Sequence, residues 1–244
     1  MNSHHCSHSW MMNKRLKGKP YTPTEAEHIA NIFTHAAMVP IAVIAAIILM
    51  INASTTNLFF IAVMYGLNLI ILFFISAAFH TAFYFNDDVR LIEKLRKSDR
   101  AVIYIFIAAC YAPWLMLVQV PEQQMFSNLQ WVMWLFAGLG VLFELTCSKK
   151  FPLLGIICYV LYAVLPALFL DYQLSFPGIP ELKVSGALYL IGVVFYRCDG
   201  IVPFAHAIWH LCVILGAGVH YVAVFNHFYS ADSSAGGVSK MSEF

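Results

Sequence analysis

Charge is scarce in this sequence: Asp, Glu, Lys and Arg together make up 11% of 244 residues, less than half the share of an ordinary soluble domain. The formal net charge of +1 leaves no basic excess of the kind that binds nucleic acid. Six cysteines are present, but no two stand in a CxxC pair, so neither a disulfide framework nor a zinc ribbon is encoded. Cys147 and Cys198, at the ends of apolar runs, read as inert thiols, with palmitoylation as the alternative. The HExxH pattern of thermolysin-type proteases is missing too, because Ala207 rather than Glu follows His206. The first twenty residues contain no apolar stretch of signal-peptide type, so the first apolar run is expected to anchor the chain uncleaved. No internal repeat is visible.

What the sequence has in abundance is apolar surface: 61% hydrophobic residues and a mean hydropathy of +0.74, which identify lipid as its solvent. Runs of membrane-spanning length are expected over Ile29 to Ile51, Leu58 to Phe85, Ala101 to Val120, Leu129 to Thr146, Phe151 to Leu170, Leu182 to Cys198 and Ile201 to Tyr229. Short turns rich in Asn, Asp, Gly, Pro and Ser separate them. The reading is therefore an all-α, seven-transmembrane helix bundle: a tail over 1–27, a helical domain over 28–229 and a short tail over 230–244. Asn52-Ala53-Ser54 forms a glycosylation sequon, but it abuts the first span and is expected to stay unused. His4, His5 and His8 read as a polar tail, with metal capture as the minor alternative.

Lys and Arg set the expected orientation. Lys14, Arg15, Lys17 and Lys19 precede the first span, Arg90, Lys94, Arg96, Lys97 and Arg100 lie between the second and third, and Lys149, Lys150 and Arg197 fall on the same side. Only Lys183 and Lys240 fall on the other. This bias places the N-terminus in the cytoplasm and the C-terminus outside the cell or in a lumen.

Ionisable side chains in hydrocarbon are costly, so their positions carry most information about function. His80 near the end of span two, Asp99 at the start of span three, and His206 with His210 at the start of span seven all fall at one depth. His206 and His210 are four apart, so one helix stacks them on one face, the spacing at which two imidazoles hold one ion. Pro203 suits the first turn of that helix. Two histidines bonded to helix carbonyls are the plain alternative, but the shared depth with His80 and Asp99 favours zinc. Three imidazoles with one open position suit a catalytic zinc shell. Asp99 would orient or deprotonate water, and Ser76, one turn before His80, would contact a substrate carbonyl or that water. Haem is disfavoured, since two of the histidines share one helix. Glu27, Asn31 and His35 form either an outer shell of the site or interhelical hydrogen bonds. Glu144 is expected to face Lys149 or Lys150. His220 and His227 lie too far along span seven to join the cluster.

Four strings carry a family resemblance: HIANIFTH (His28 to His35), SAAFH (Ser76 to His80), SDRAVIYIFIAACYAPW (Ser98 to Trp114) and CDGIVPFAHAIWHL (Cys198 to Leu211). Together they resemble the progestin and adiponectin receptor family, which includes the hemolysin III proteins, and within it the monocyte to macrophage differentiation factor branch. The resemblance implies a seven-helix fold with zinc on His80, His206 and His210, and Asp99 and Ser76 completing the site. It also implies kinship with alkaline ceramidases, hence a lipid or other small hydrophobic ligand, a receptor-like signalling role, and Golgi or endolysosomal membranes. The short tail and small lumenal loops argue against binding of a folded protein hormone.

Overall fold

The computed structural model describes residues 11–13, 21–118, 123–173 and 178–230. His4, His5, His8 and the tail beyond residue 230 lie outside them. Among the described residues there are helices and connecting turns but no strand. The order is α1 (Glu25–Ala36), α2 (Met38–Ile51), α3 (Thr56–Phe85), α4 (Val89–Leu117), α5 (Gln123–Thr146), α6 (Pro152–Gln173), α7 (Ile179–Arg197) and α8 (Ala205–Val224), which continues into a π-helical turn over Phe225–Tyr229. Seven segments are long and apolar enough to cross a membrane, with α1 and α2 counting as one over Glu25–Ile51. The chain is an integral, multi-pass membrane protein.

Local chemistry accounts for the element ends. Thr24 and Glu27 form a reciprocal capping box at the start of α1. The break between α1 and α2 falls at Ala37, three residues before Pro40, whose missing N–H and ring clash disrupt a continuous helix there. Thr55 caps α3 through Leu58 N at 3.2 Å, and Asp88 caps α4 through Arg90 N at 2.9 Å and Leu91 N at 3.3 Å.

Several helices begin earlier than the apolar runs, α1 at Glu25, α5 at Gln123 and α7 at Ile179, and two boundaries bear on the site. Helix α4 starts at Val89 rather than Ala101, because its basic first turns are polar enough to read as a loop, yet are helical and well capped. There Arg96 lies over the rings of Phe79 and Phe83 of α3, at 5.6 and 5.2 Å. Asp99 therefore sits inside a helix. Pro203 stands outside α8, whose N-cap is Phe204 in the left-handed region at φ 57°.

The bundle is apolar both inside and on its outer surface. Large apolar side chains such as Phe33, Leu135, Leu139, Leu168 and Val194 are exposed on the outer surface, where lipid covers them. The interior holds small residues at close helix crossings. Gly66 of α3 meets α2 so closely that an added Cβ would lie 2.6 Å from the Ala46 Cβ. Glu144 is buried and pairs with Arg100 of α4 at 3.2 Å, not with Lys149, which bonds Glu93 at 2.5 Å. Helices α4 and α5 pack side by side, which sets Arg100 against Glu144 across their interface. Cys147 is exposed rather than buried.

Candidate metal centre

Three helix ends meet on the side of the bundle where α1 begins: the last turns of α3, the first part of α4 and the start of α8. There the rings of His80, His206 and His210 form a nearly equilateral triangle, with centroids 5.0 Å apart for His80 and His206, 4.9 Å for His80 and His210, and 4.8 Å for His206 and His210. One nitrogen from each lies within 4.8 Å of the others, an arrangement that could hold a metal ion. His80 and His210 are buried, and His206 is partly so.

The donor chemistry matches that use. Asp199, a carboxylate able only to accept, bonds His206 Nδ1 at 3.1 Å, so the proton of the neutral ring sits on Nδ1 and the lone pair on Nε2. The Thr34 hydroxyl gives its single proton to the Ala30 carbonyl at 2.9 Å, shared with that of Asn31 at 3.1 Å. It must then accept from His210 Nδ1, 2.9 Å away, which again leaves Nε2 with the lone pair. Outer partners that fix a histidine tautomer in this way are the usual support of a metal-binding imidazole. Both ring nitrogens of His80 are buried without a hydrogen-bond partner, an arrangement that costs about 1–3 kcal/mol per group unless something binds there.

The site opens onto a cavity of about 340 Å³ whose lining is mostly apolar side chains of α4, α6, α7 and α8, with Ser76, Asp99, His206 and His210 among the polar groups. Ser76 and Asp99 line the cavity together beside the histidines. Ser76, His80, Asp99, His206 and His210 thus gather at one end of the bundle. His35 stacks on His210 with ring centroids 3.7 Å apart. His220, deeper along α8, is committed elsewhere: it accepts from Trp114 Nε1 at 3.0 Å, so its Nδ1–H donates to the Tyr65 hydroxyl at 2.8 Å. Sequence reasoning missed Thr34 and Asp199. Both lie in the strings that carry the family resemblance, but only the docking of α1 on α8 and the fold of the turn before α8 give them a role.

The fold and site together define a seven-span membrane protein with a three-histidine cluster competent for metal at one end of its bundle. A family profile described as Haemolysin-III related matches residues 24–221. The chain is 37% identical over 210 residues to the monocyte to macrophage differentiation factor of Homo sapiens, covering 86% of this chain and 87% of that one. It is 29% identical over 209 residues to Hemolysin-3 of Bacillus cereus, covering 81% of this chain and 90% of that one. This protein belongs to the haemolysin III family, the progestin and adiponectin receptor family.

Proposed function

We propose that His80, His206 and His210 bind zinc at the cytoplasmic side of the membrane, and that the site hydrolyses an amide bond in a lipid held in the adjoining cavity. The observation that carries this reading is the fixed tautomer of both α8 histidines, with Asp199 and Thr34 on Nδ1, opposite a buried His80 with two unengaged nitrogens. Zinc, when bound, supplies a Lewis acid that polarises a carbonyl and acidifies water. The chain's own residues supply the rest. Asp99 takes a proton at a carboxylate oxygen, and Ser76, on the same cavity wall, offers its hydroxyl to a substrate carbonyl. The apolar lining receives an acyl chain and excludes bulk water from the polar end.

The excess of Lys and Arg beside the site supports a cytoplasmic N-terminus and an outer or lumenal C-terminus, and the family resemblance favours Golgi or endolysosomal membranes and a signalling role. A second reading, in which zinc only clamps helices and the protein acts as a sensor or scaffold, is favoured by one fact: the cluster joins α3 to α8. Metal analysis and fatty acid release from ceramide, measured on detergent-purified protein, separate the two. Wild type should contain zinc and release fatty acid, and Asp99→Asn should keep the metal and lose the release. Zinc without product in either protein would establish the clamp, and no zinc at all would end both readings.

A further inference from the structure

Glu27 sits at the start of α1, far in sequence from the histidine pair, and almost nothing of it reaches solvent. Its Oε2 accepts from Thr24 N at 2.9 Å and from the Tyr21 hydroxyl at 2.5 Å. Its Oε1 crosses to the other end of the chain and accepts from the backbone N–H of Phe204 at 3.2 Å. Phe204 is the N-cap of α8, has no side-chain cap, and among described residues is the only non-glycine with positive φ. That conformation costs a bulky residue about 1–2 kcal/mol and persists only where neighbours hold it. The carboxylate also lies at the helix end where the backbone dipole favours negative charge. Two residues further on is His206, and one turn after that His210.

We infer that Glu27 is a positioning residue for the metal centre: by capping α8 from α1 it sets the angle and register at which His206 and His210 present their nitrogens toward His80. Thr34, a further two turns along α1, makes the second tie between the same two helices through His210. Helix α1 thus acts as a splint along the ligand-bearing end of α8. This inference rests on the zinc reading proposed above.

The test compares wild type with Glu27→Gln, Glu27→Ala and Glu25→Gln. Glu25 is the control, since it removes the same charge from the same turn of α1, yet accepts from Tyr84 of α3 rather than from α8. Zinc affinity is measured by competition with a chromophoric chelator. The ligand-field spectrum is recorded at saturating cobalt, which folding stability alone would not alter. Glu27→Ala is expected to weaken zinc about 10–100-fold, the usual effect of losing an outer-shell partner, and to shift the cobalt bands. Glu27→Gln, which keeps an acceptor oxygen for Phe204, should recover most of both, and Glu25→Gln should match wild type. If Glu27→Ala does not fold, the inference is read from Glu27→Gln against Glu25→Gln. An amide that must also face two donors should then still weaken zinc severalfold. Equal affinity and spectra for wild type and every folded Glu27 variant would overturn the inference alone. A wild type that takes up neither metal would overturn the zinc reading and this inference with it.

Discussion

Replacing His80 with Leu should change the sign of its effect on stability according to whether metal is present. His80 has two buried ring nitrogens with no partner, and each unsatisfied buried group costs about 1–3 kcal/mol. In metal-free protein, an apolar side chain of similar size removes that cost, so His80→Leu should melt no lower than wild type. With zinc the balance reverses. A ligand present at a thousandfold excess over its Kd stabilises the folded state by about 4.1 kcal/mol. Each kcal/mol moves Tm by about 2–4 °C in a chain of this size, so zinc should raise the wild-type Tm by about 8–16 °C. The variant retains two ligands on one helix and nothing on α3, so most of that gain should vanish. Thermal melts followed by tryptophan fluorescence, after chelation and again with zinc restored, give all four values. Equal wild-type melting temperatures with and without zinc, or a variant already several degrees below wild type in chelator, would refute the reasoning.

Two further outcomes follow from other parts of the bundle. Gly66→Val should cost about 1–3 kcal/mol through overpacking, because its Cβ would meet Ala46 Cβ at 2.6 Å and Ala46 Cα at 3.0 Å. Thermal melts of a double-mutant cycle with Ala46→Gly should recover part of the loss, and a fully additive cycle would contradict the close crossing. Tyr21, which precedes the first span, has its phenol held well above the ordinary tyrosine range by burial and by its hydrogen bond to Glu27. An unfolded phenol ionises near pH ~10 while the folded one keeps its proton, so this contribution to stability is complete below that pH and lost as pH rises beyond it. Tm measured from pH 8 to 11 should therefore fall less steeply for Tyr21→Phe than for wild type, and parallel curves would exclude the effect.

The seven spans are legible in the sequence because lipid requires long apolar runs, and the turns between them are short. Where the reading slipped, a local rule was outweighed by context. The first turns of α4 carry Arg90, Lys94, Arg96 and Lys97, which hydropathy marks as a loop, yet the Asp88 cap and the Arg96 contacts with Phe79 and Phe83 make them helix. Pro203 looks like a first-turn proline, but Phe204 after it adopts a left-handed backbone and delays α8 to Ala205. Glu144 has Lys149 and Lys150 nearest in sequence, yet it takes its partner, Arg100, from another helix. The histidines stood out because an ionisable group in an apolar run needs a reason. Thr34 and Asp199 did not, and Glu27 stood out only as one of two alternatives, since their partners lie on or beside a helix end whose placement no local periodicity encodes.

Two buried histidines show how structure separates a candidate ligand from a packing group where sequence alone could do so only by depth. His220 and His210 lie on the same helix, ten residues apart, and both are almost wholly enclosed. His220 has Tyr65 on one nitrogen and Trp114 on the other, so its hydrogen-bonding capacity is exhausted and a metal would have to displace both. His210 has Thr34 on Nδ1 alone, and its other nitrogen faces two further imidazoles across a gap an ion can bridge. A membrane interior tolerates a neutral imidazole whose donor and acceptor are both engaged. It penalises three that converge with lone pairs unspent, and His80, with neither nitrogen engaged, incurs the largest penalty. An ion held between the three rings, as proposed above, would remove that penalty, because each ring can turn a lone pair toward it.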